Sequence, residues 1–244
     1  MAYTAKTRLF IEDSLPGSGL IDLDKGQTHY LANVMRVTEG TRINLFNGRD
    51  GEWQCLVTHA SRKSVSLLVE EKVRDQKTEP DVWLVFAPIK KARIDFMAQK
   101  ATELGASKLI PLLTARTNTD RVKVDRLALN AIEAAEQCER LNVPEVTEPI
   151  KFKTLMEEWP SERRIMFCDE MRNAESAIHA LPKGSPPPPW AIFIGPEGGF
   201  DDRERETLAA QEGCVSVSLG PRILRADTAA MAALSLWQAT LGDW

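Results

Sequence analysis

The sequence predicts an α/β protein in two parts, a small β-barrel followed by a larger domain on a mostly parallel sheet, and three observations lead there. From Arg8 to Val73 the apolar segments are short and partly alternating, "RLFI", "LIDL", "TRINLFN", "EWQCLVTHA" and "SVSLLVEEKV", broken by "PGSG", "NGRDG" and "SRKS". That is the pattern of half-buried antiparallel strands joined by tight turns. Beyond Asp81 the runs become continuous, "VWLVFAP", "KLIPLLT", "RIMFC", "AIFIG" and "CVSVSLG", and alternate with helical periods, as in a parallel sheet covered on both faces. Between the two textures lies the polar linker "RDQKTEPD", and the domains are accordingly placed at residues 1–75 and 76–244.

Taken in order, the barrel strands are interrupted by one helix near "QTHYLANVM". In the second domain "ARIDFMAQKATELG" reads as a helix closed by Gly105, and Asp201 followed by Glu204 has the spacing of a capping box. The prolines of "KGSPPPPW" enforce an extended approach to the fourth strand of this domain. After the fifth, Ala229, Ala230, Ala232 and Ala233 mark a helix able to pack closely.

Composition narrows the function. With 43% hydrophobic and 27% charged residues over 244 positions, the chain is ordinary globular protein. A net charge of -4 means that contact with nucleic acid has to come from local basic patches. Cys55, Cys138, Cys168 and Cys214 are scattered without close pairs, and His29, His59 and His179 lack metal-ligand spacing. These patterns fit a reducing cytoplasm and no metal site. No signal peptide and no membrane-length apolar run is visible.

The chemistry concentrates in two turns. "AIFIGPEGGFDDRERE" runs from a strand through Gly195, Gly198 and Gly199 into a helix whose start carries Asp201, Asp202, Glu204 and Glu206. Neither the dinucleotide fingerprint nor the P-loop spacing is present. Acids at a helix start favour the positive dipole end and repel phosphate, so a neutral or cationic ligand fits better, with bare backbone offered to a flat group. A tight strand-to-helix connection with acidic capping explains the same residues equally well. The second turn, "SLGPRILRADTAAM", sets Gly220 and Pro221 after a strand and Arg222 and Arg225 beside apolar Ile223 and Leu224. These arginines suit an anion or polarised oxygen; a surface ion pair such as Arg225 with Asp227 is the plainer alternative.

Together, "IGPEGGF" and "LGPRILRADTA" resemble the paired cofactor loops of the knotted SPOUT RNA methyltransferases, and most closely the RsmE type, which methylates N3 of uridine 1498 in 16S ribosomal RNA. "KKARIDFMAQKATELG", "AAEQCER" and the opening "RLF" resemble further segments of that family, so the resemblance spans nearly the whole chain. One departure is Asp227, where the family often has glutamate. The resemblance implies a PUA-like RNA-binding barrel and a C-terminal SPOUT domain whose last segment threads a deep trefoil knot around S-adenosylmethionine. It also implies a homodimer acting on the small ribosomal subunit in the cytoplasm. A SPOUT enzyme acting on transfer RNA and a non-catalytic RNA-binding adaptor are the competing readings.

On this resemblance the cofactor is held by Cys168, Asp169, Ile194, Gly195, Pro196, Glu197, Gly198, Gly199, Leu219, Gly220, Ile223, Leu224, Arg225 and Thr228. Arg225 would stabilise the uracil anion, with Glu136 as a second catalytic candidate and Arg140 holding the nucleotide; an i, i+4 surface pair is the alternative for Glu136 and Arg140. RNA contacts are expected from Arg8, Arg36 and Arg62 in the barrel, and from Lys90, Lys91, Arg93, Arg116, Arg121 and Lys123.

Overall fold

The computed structural model describes residues 7–15, 17–118, 121–169, 174–182 and 187–244, apart from the side chains of Lys91 and Ala92. They form two compact units, residues 1–78 with 135–142, and residues 79–134 with 143–244.

The first unit is a five-stranded sheet of β1 (Arg8–Phe10), β2 (Gly19–Asp22), β3 (Arg42–Phe46), β4 (Glu52–Ala60) and β5 (Val65–Arg74), in the order β1-β3-β4-β5-β2. The predicted helix is α1 (Lys25–His29), continued by a π-helical turn over Tyr30–Val34. Three of the four pairings are antiparallel, but β1 runs parallel to β3. The intervening β2 and α1 supply the long crossover that a parallel pair requires. Leu9, Ile43, Leu45, Val57, Val65 and Leu67 alternate inward and form one apolar core with Leu31 of the π-helical turn.

Residues 135–142 join this unit for a specific polar reason. Arg8 is only 6% exposed. Its Nε donates to Glu52 Oε1 at 2.7 Å, Nη1 to the carbonyls of Ala135 and Glu136 at 2.7 and 3.0 Å, and Nη2 to the Arg140 carbonyl at 3.0 Å. Arg8 therefore serves carbonyls left unpaired by a helix end, and the expectation that it contacts RNA is corrected: its donors are turned inward. Glu52 also accepts from Asn44 and Arg74. Burial raises the Glu52 pKa, but Arg8, Asn44 and Arg74 outweigh it and leave the carboxyl below its ordinary value.

The second unit is a seven-stranded parallel sheet. Its strands are β6 (Val82–Phe86), β7 (Lys108–Leu113), β8 (Glu145–Val146), β9 (Ile150–Lys151), β10 (Arg164–Cys168), β11 (Trp190–Ile194) and β12 (Cys214–Val217). The order is β12-β10-β11-β6-β7-β8, with β9 also beside β7. Pro111 of β7 falls between the residues paired to β8 and those paired to β9, where a missing N–H costs the ladder least. The helices are α2 (Lys91–Glu103), α3 (Val124–Gln137, whose last three residues belong to the first unit), α4 (Phe152–Glu157), α5 (Ala177–Ala180), α6 (Asp202–Ala209) and α7 (Ala226–Leu241).

Side chains alternate along each central strand and both faces are covered. Leu84, Phe86 and Ile192 pack with Met97 and Ala101 of α2 and with Ala230, Ala233 and Trp237 of α7. Val85, Phe167 and Phe193 pack on the other face with Phe152 of α4 and Leu208 of α6. This is why the strand sequences are apolar throughout rather than alternating. Among the described residues no helix is long and apolar enough to cross a membrane.

Candidate active site

The strands β12, β10 and β11 are neighbours, so their carboxyl ends lie side by side. Open α/β sheets place ligands at such ends. A cavity of about 410 Å³ opens there, lined at the end of β10 by Cys168 and the following Asp169, at the end of β11 by Ile194 and in the turn after it by Gly195, Pro196, Glu197 and Gly199, and from the segment after β12 by Leu219, Gly220, Arg222, Ile223, Leu224 and Arg225. Arg93 of α2 and Ala226 and Ala229 of α7 complete the wall.

Local chemistry explains the shape of each turn. A Cβ on Gly195 would lie 2.9 Å from two ring carbons of Phe200, itself fully buried, so only glycine lets the strand exit past that ring. Gly220 sits at φ +107, a backbone conformation that favours glycine. Asp201 caps α6 by accepting from the Glu204 N–H at 2.8 Å, and Glu204 answers by accepting from the Asp201 N–H at 3.0 Å. The second oxygen of Glu204 accepts from the Ala115 N–H at 2.7 Å. None of Asp201, Asp202, Glu204 and Glu206 lines the cavity. The expectation that they make the turn averse to phosphate is thus corrected: Asp201 and Glu204 are spent on backbone donors.

The charges that do face the cavity are Asp169, Glu197, Arg93, Arg222 and Arg225. Asp169 is held by both Nη atoms of Arg205, at 2.8 and 3.2 Å. Arg93 reaches Glu197 at 3.6 Å and Asp227 at 3.9 Å, so Asp227 pairs with α2 rather than with Arg225. Among the described residues Arg222 and Arg225 make no ion pair, and both are exposed at the mouth. Ile223, though apolar, is 86% exposed and lines the opening. Burial pushes the Cys168 thiol far above the usual range.

Twelve of the residues assigned from sequence to the cofactor surround this cavity, and two do not. Gly198 faces outward, its carbonyl accepting from Arg116 Nη1 at 2.8 Å, and the exposed Thr228 donates its N–H to Asp227 at 3.0 Å. Arg93, expected at RNA, lines the cavity, as do Arg222, Ala226 and Ala229. The last two are three apart on the first turn of α7, a spacing that puts them on one face, whereas nothing local in sequence brings Arg93 to a loop about a hundred residues later. Glu136 and Arg140 do not line the cavity; both are buried in the first unit, where Glu136 Oε1 accepts from the Phe10 N–H at 2.9 Å. Arg36, Arg62, Lys90, Arg121 and Lys123 are exposed. The Lys91 side chain lies outside the described residues. Among the described residues no cluster of three metal-ligating side chains occurs.

Comparison with known proteins agrees with this architecture. An RNA methyltransferase domain profile matches residues 76–238, and an RNA methyltransferase PUA domain profile matches residues 23–70. The chain is 31% identical over 229 residues to the ribosomal RNA small subunit methyltransferase E of Rickettsia conorii, covering 93% of each chain. It superposes with TM-score 0.89 on a Legionella pneumophila methyltransferase solved in complex with the cofactor S-adenosylmethionine, at 28% identity and with 100% of each chain covered. With TM-score 0.88 and 26% identity it superposes on the ribosomal RNA small subunit methyltransferase E of Neisseria gonorrhoeae bound to S-adenosylmethionine, with 98% of this chain and 99% of that one covered. The two matched domains, over a parallel sheet with a cavity at three strand ends, make the chain an RNA methyltransferase. The chain belongs to the ribosomal RNA small subunit methyltransferase E family.

Proposed function

We propose that the protein transfers the methyl group of S-adenosylmethionine to N3 of uridine 1498 in 16S ribosomal RNA of the small subunit, acting as a cytoplasmic homodimer. The observation that carries the reading is the cavity at the ends of β10, β11 and β12, in a chain so similar to two structures bound to that cofactor.

The residues present fit such a molecule. A volume of about 410 Å³ lies within the usual range for small-ligand sites. Leu219, Ile223 and Leu224 offer apolar surface to a flat base, and the bare backbone at Gly195 and Gly199 offers hydrogen-bonding groups to its edge. When bound, S-adenosylmethionine supplies an electrophilic methyl on a sulfonium.

The remaining tasks fall to the protein. Uracil N3 has to lose its proton, and the resulting anion spreads over O2 and O4. Arg225, exposed at the mouth as the N-cap of α7, is the donor assigned to that anion; such a donor is worth about 2.7–4 kcal/mol in transition-state stabilisation. Arg222 beside it orients the nucleotide through phosphate or carbonyl oxygen. Exposed Arg36, Arg62, Lys90, Arg121 and Lys123 supply RNA contacts.

The threading of a trefoil knot is part of the same reading. In support, Ser218, just after β12, donates its N–H to the Glu175 carbonyl at 2.8 Å and accepts from the Ala177 N–H at 3.2 Å. The chain thus runs against the segment that follows β10 before α7 returns over β6 and β11.

The test is transfer of labelled methyl from S-adenosylmethionine to small ribosomal subunits. Reverse transcription should then stop at a single uridine, because a methyl on N3 removes the imino donor used in pairing. Arg225→Ala should lower turnover by about 100-fold or more with cofactor affinity retained. Unchanged turnover removes Arg225 from the mechanism, and labelling of transfer RNA instead of subunits overturns the substrate.

A further inference from the structure

The turn after β7 is tied to the glycine-rich turn after β11 and to the start of α6 by hydrogen bonds that it donates. Thr114 and Thr117 close that turn, with the Thr114 N–H donating to the Thr117 hydroxyl at 2.9 Å and the Thr117 N–H to the Thr114 carbonyl at 3.1 Å. Ala115 and Arg116 are left at its tip. From the tip the Ala115 N–H donates to Glu204, a carboxylate only 7% exposed and already holding the start of α6. From the next residue Arg116 Nη1 donates to the carbonyls of Gly198 and Phe200, at 2.8 and 3.4 Å.

Gly198 stands between Glu197 and Gly199, which both line the cavity. Neither Gly198 nor Arg116 lines the cavity, and Arg116 grips the turn by the Gly198 carbonyl. The stem of Arg116 adds packing, since a Cβ on Gly198 would lie 3.6 Å from its Cβ and Cδ. A charged donor on a neutral carbonyl is among the stronger hydrogen bonds. Only Nη1 is used in this way; Nε and Nη2 have no protein acceptor among the described residues, and the side chain is exposed. A guanidinium carries five donors in a rigid plane, so one edge can hold the turn while the other receives a phosphate oxygen.

We propose that Arg116 is a positioning residue that couples the two substrates: one edge of its guanidinium holds the glycine-rich turn in the conformation that receives S-adenosylmethionine, and the other binds a phosphate of the ribosomal RNA. The inference rests on the cofactor reading of the cavity. Its physical content is linkage, because an RNA phosphate that orders Arg116 also orders the turn, and each ligand then strengthens the other by the same factor.

The experiment titrates S-adenosylhomocysteine into the full-length protein by calorimetry, with and without small ribosomal subunits, for wild type, Arg116→Ala and Arg116→Lys. Melting curves of the ligand-free proteins report folding. Wild type should bind the probe, and subunits should tighten that binding by a factor in the range of about 5–150 typical of coupled sites. Arg116→Ala should bind the probe several-fold more weakly with its melting temperature kept, and should lose the tightening. Arg116→Lys should retain subunit binding through its charge but lose the coupling, since an ammonium lacks the second edge. In steady state the alanine variant should show a raised KM for S-adenosylmethionine with kcat largely preserved. Should the alanine variant melt early, Arg116→Lys alone carries the comparison. Wild-type affinity and wild-type tightening in both variants overturn the coupling while leaving the enzyme reading intact. A wild-type protein that does not bind the probe overturns that reading, and the coupling with it.

Discussion

At Gly195 a single methyl group decides whether the glycine-rich turn after β11 can form. The Phe200 ring that a Cβ would meet at 2.9 Å is buried among Phe152 and Phe167, so it has no free direction in which to move. Gly195→Ala should therefore cost about 1–3 kcal/mol in denaturant unfolding and abolish measurable binding of S-adenosylhomocysteine. An alanine variant of wild-type stability and affinity would show that the ring yields. The glycines and the apolar residues around them are legible in sequence because a turn is local. Arg8 and Arg93 are not, because what an arginine does depends on acceptors far along the chain. Arg8 finds its partners on residues 52, 135, 136 and 140, and Arg93 finds Glu197 and Asp227. A basic residue read alone suggests phosphate; these two meet carbonyls and carboxylates of their own chain.

Among the elements, α6 and β1 show the two extremes of what a pattern reveals. The capping box at Asp201 and Glu204 is visible as a spacing because both partners lie within one turn. The same spacing gives no hint that Glu204 also serves Ala115, eighty-nine residues earlier. Strand β1 is only three residues long and lies at a sheet edge, so its attachment relies on the buried Arg8–Glu52 pair, whose side chains are 4% and 2% exposed.

The Glu52 carboxyl is held below its ordinary pKa in the folded chain, with burial opposing and Arg8 prevailing. A depressed folded pKa contributes stability above the unfolded value near ~4.3, and that contribution is lost as pH falls through the folded value. The denaturant midpoint of the wild type should thus fall as pH drops below about 4.5. Glu52→Gln should remove this part of the pH dependence and cost about 3–5 kcal/mol at neutral pH, because it leaves the Arg8 charge buried without a counter-charge. A variant as stable as wild type, with the same acid sensitivity, would assign the effect to another carboxylate such as Asp81, which Arg163 holds low against its own burial.

On the scale of the whole molecule, the two-part architecture is legible in the change from alternating to continuous apolar runs, because burial on one face or on two writes a different period into a strand. Strand order is not written there. Nothing in the run "CVSVSLG" says that it lies beside "RIMFC" rather than beside the strand that precedes it, yet that neighbour relation is what assembles three strand ends into one cavity. The parallel pairing of β1 with β3 escaped for the same reason, since pairing partners are chosen by the whole chain.

That cavity, if it holds the methyl donor as proposed, also brings a thiol close to an electrophile. A sulfonium methyl is an electrophile, and a thiolate is the strongest nucleophile a protein commonly carries. Cys168 stands in the wall, and its burial raises the thiol pKa, which disfavours the thiolate needed for attack. Prolonged incubation with the methyl donor and no RNA should leave the intact mass unchanged, without S-methylcysteine at position 168.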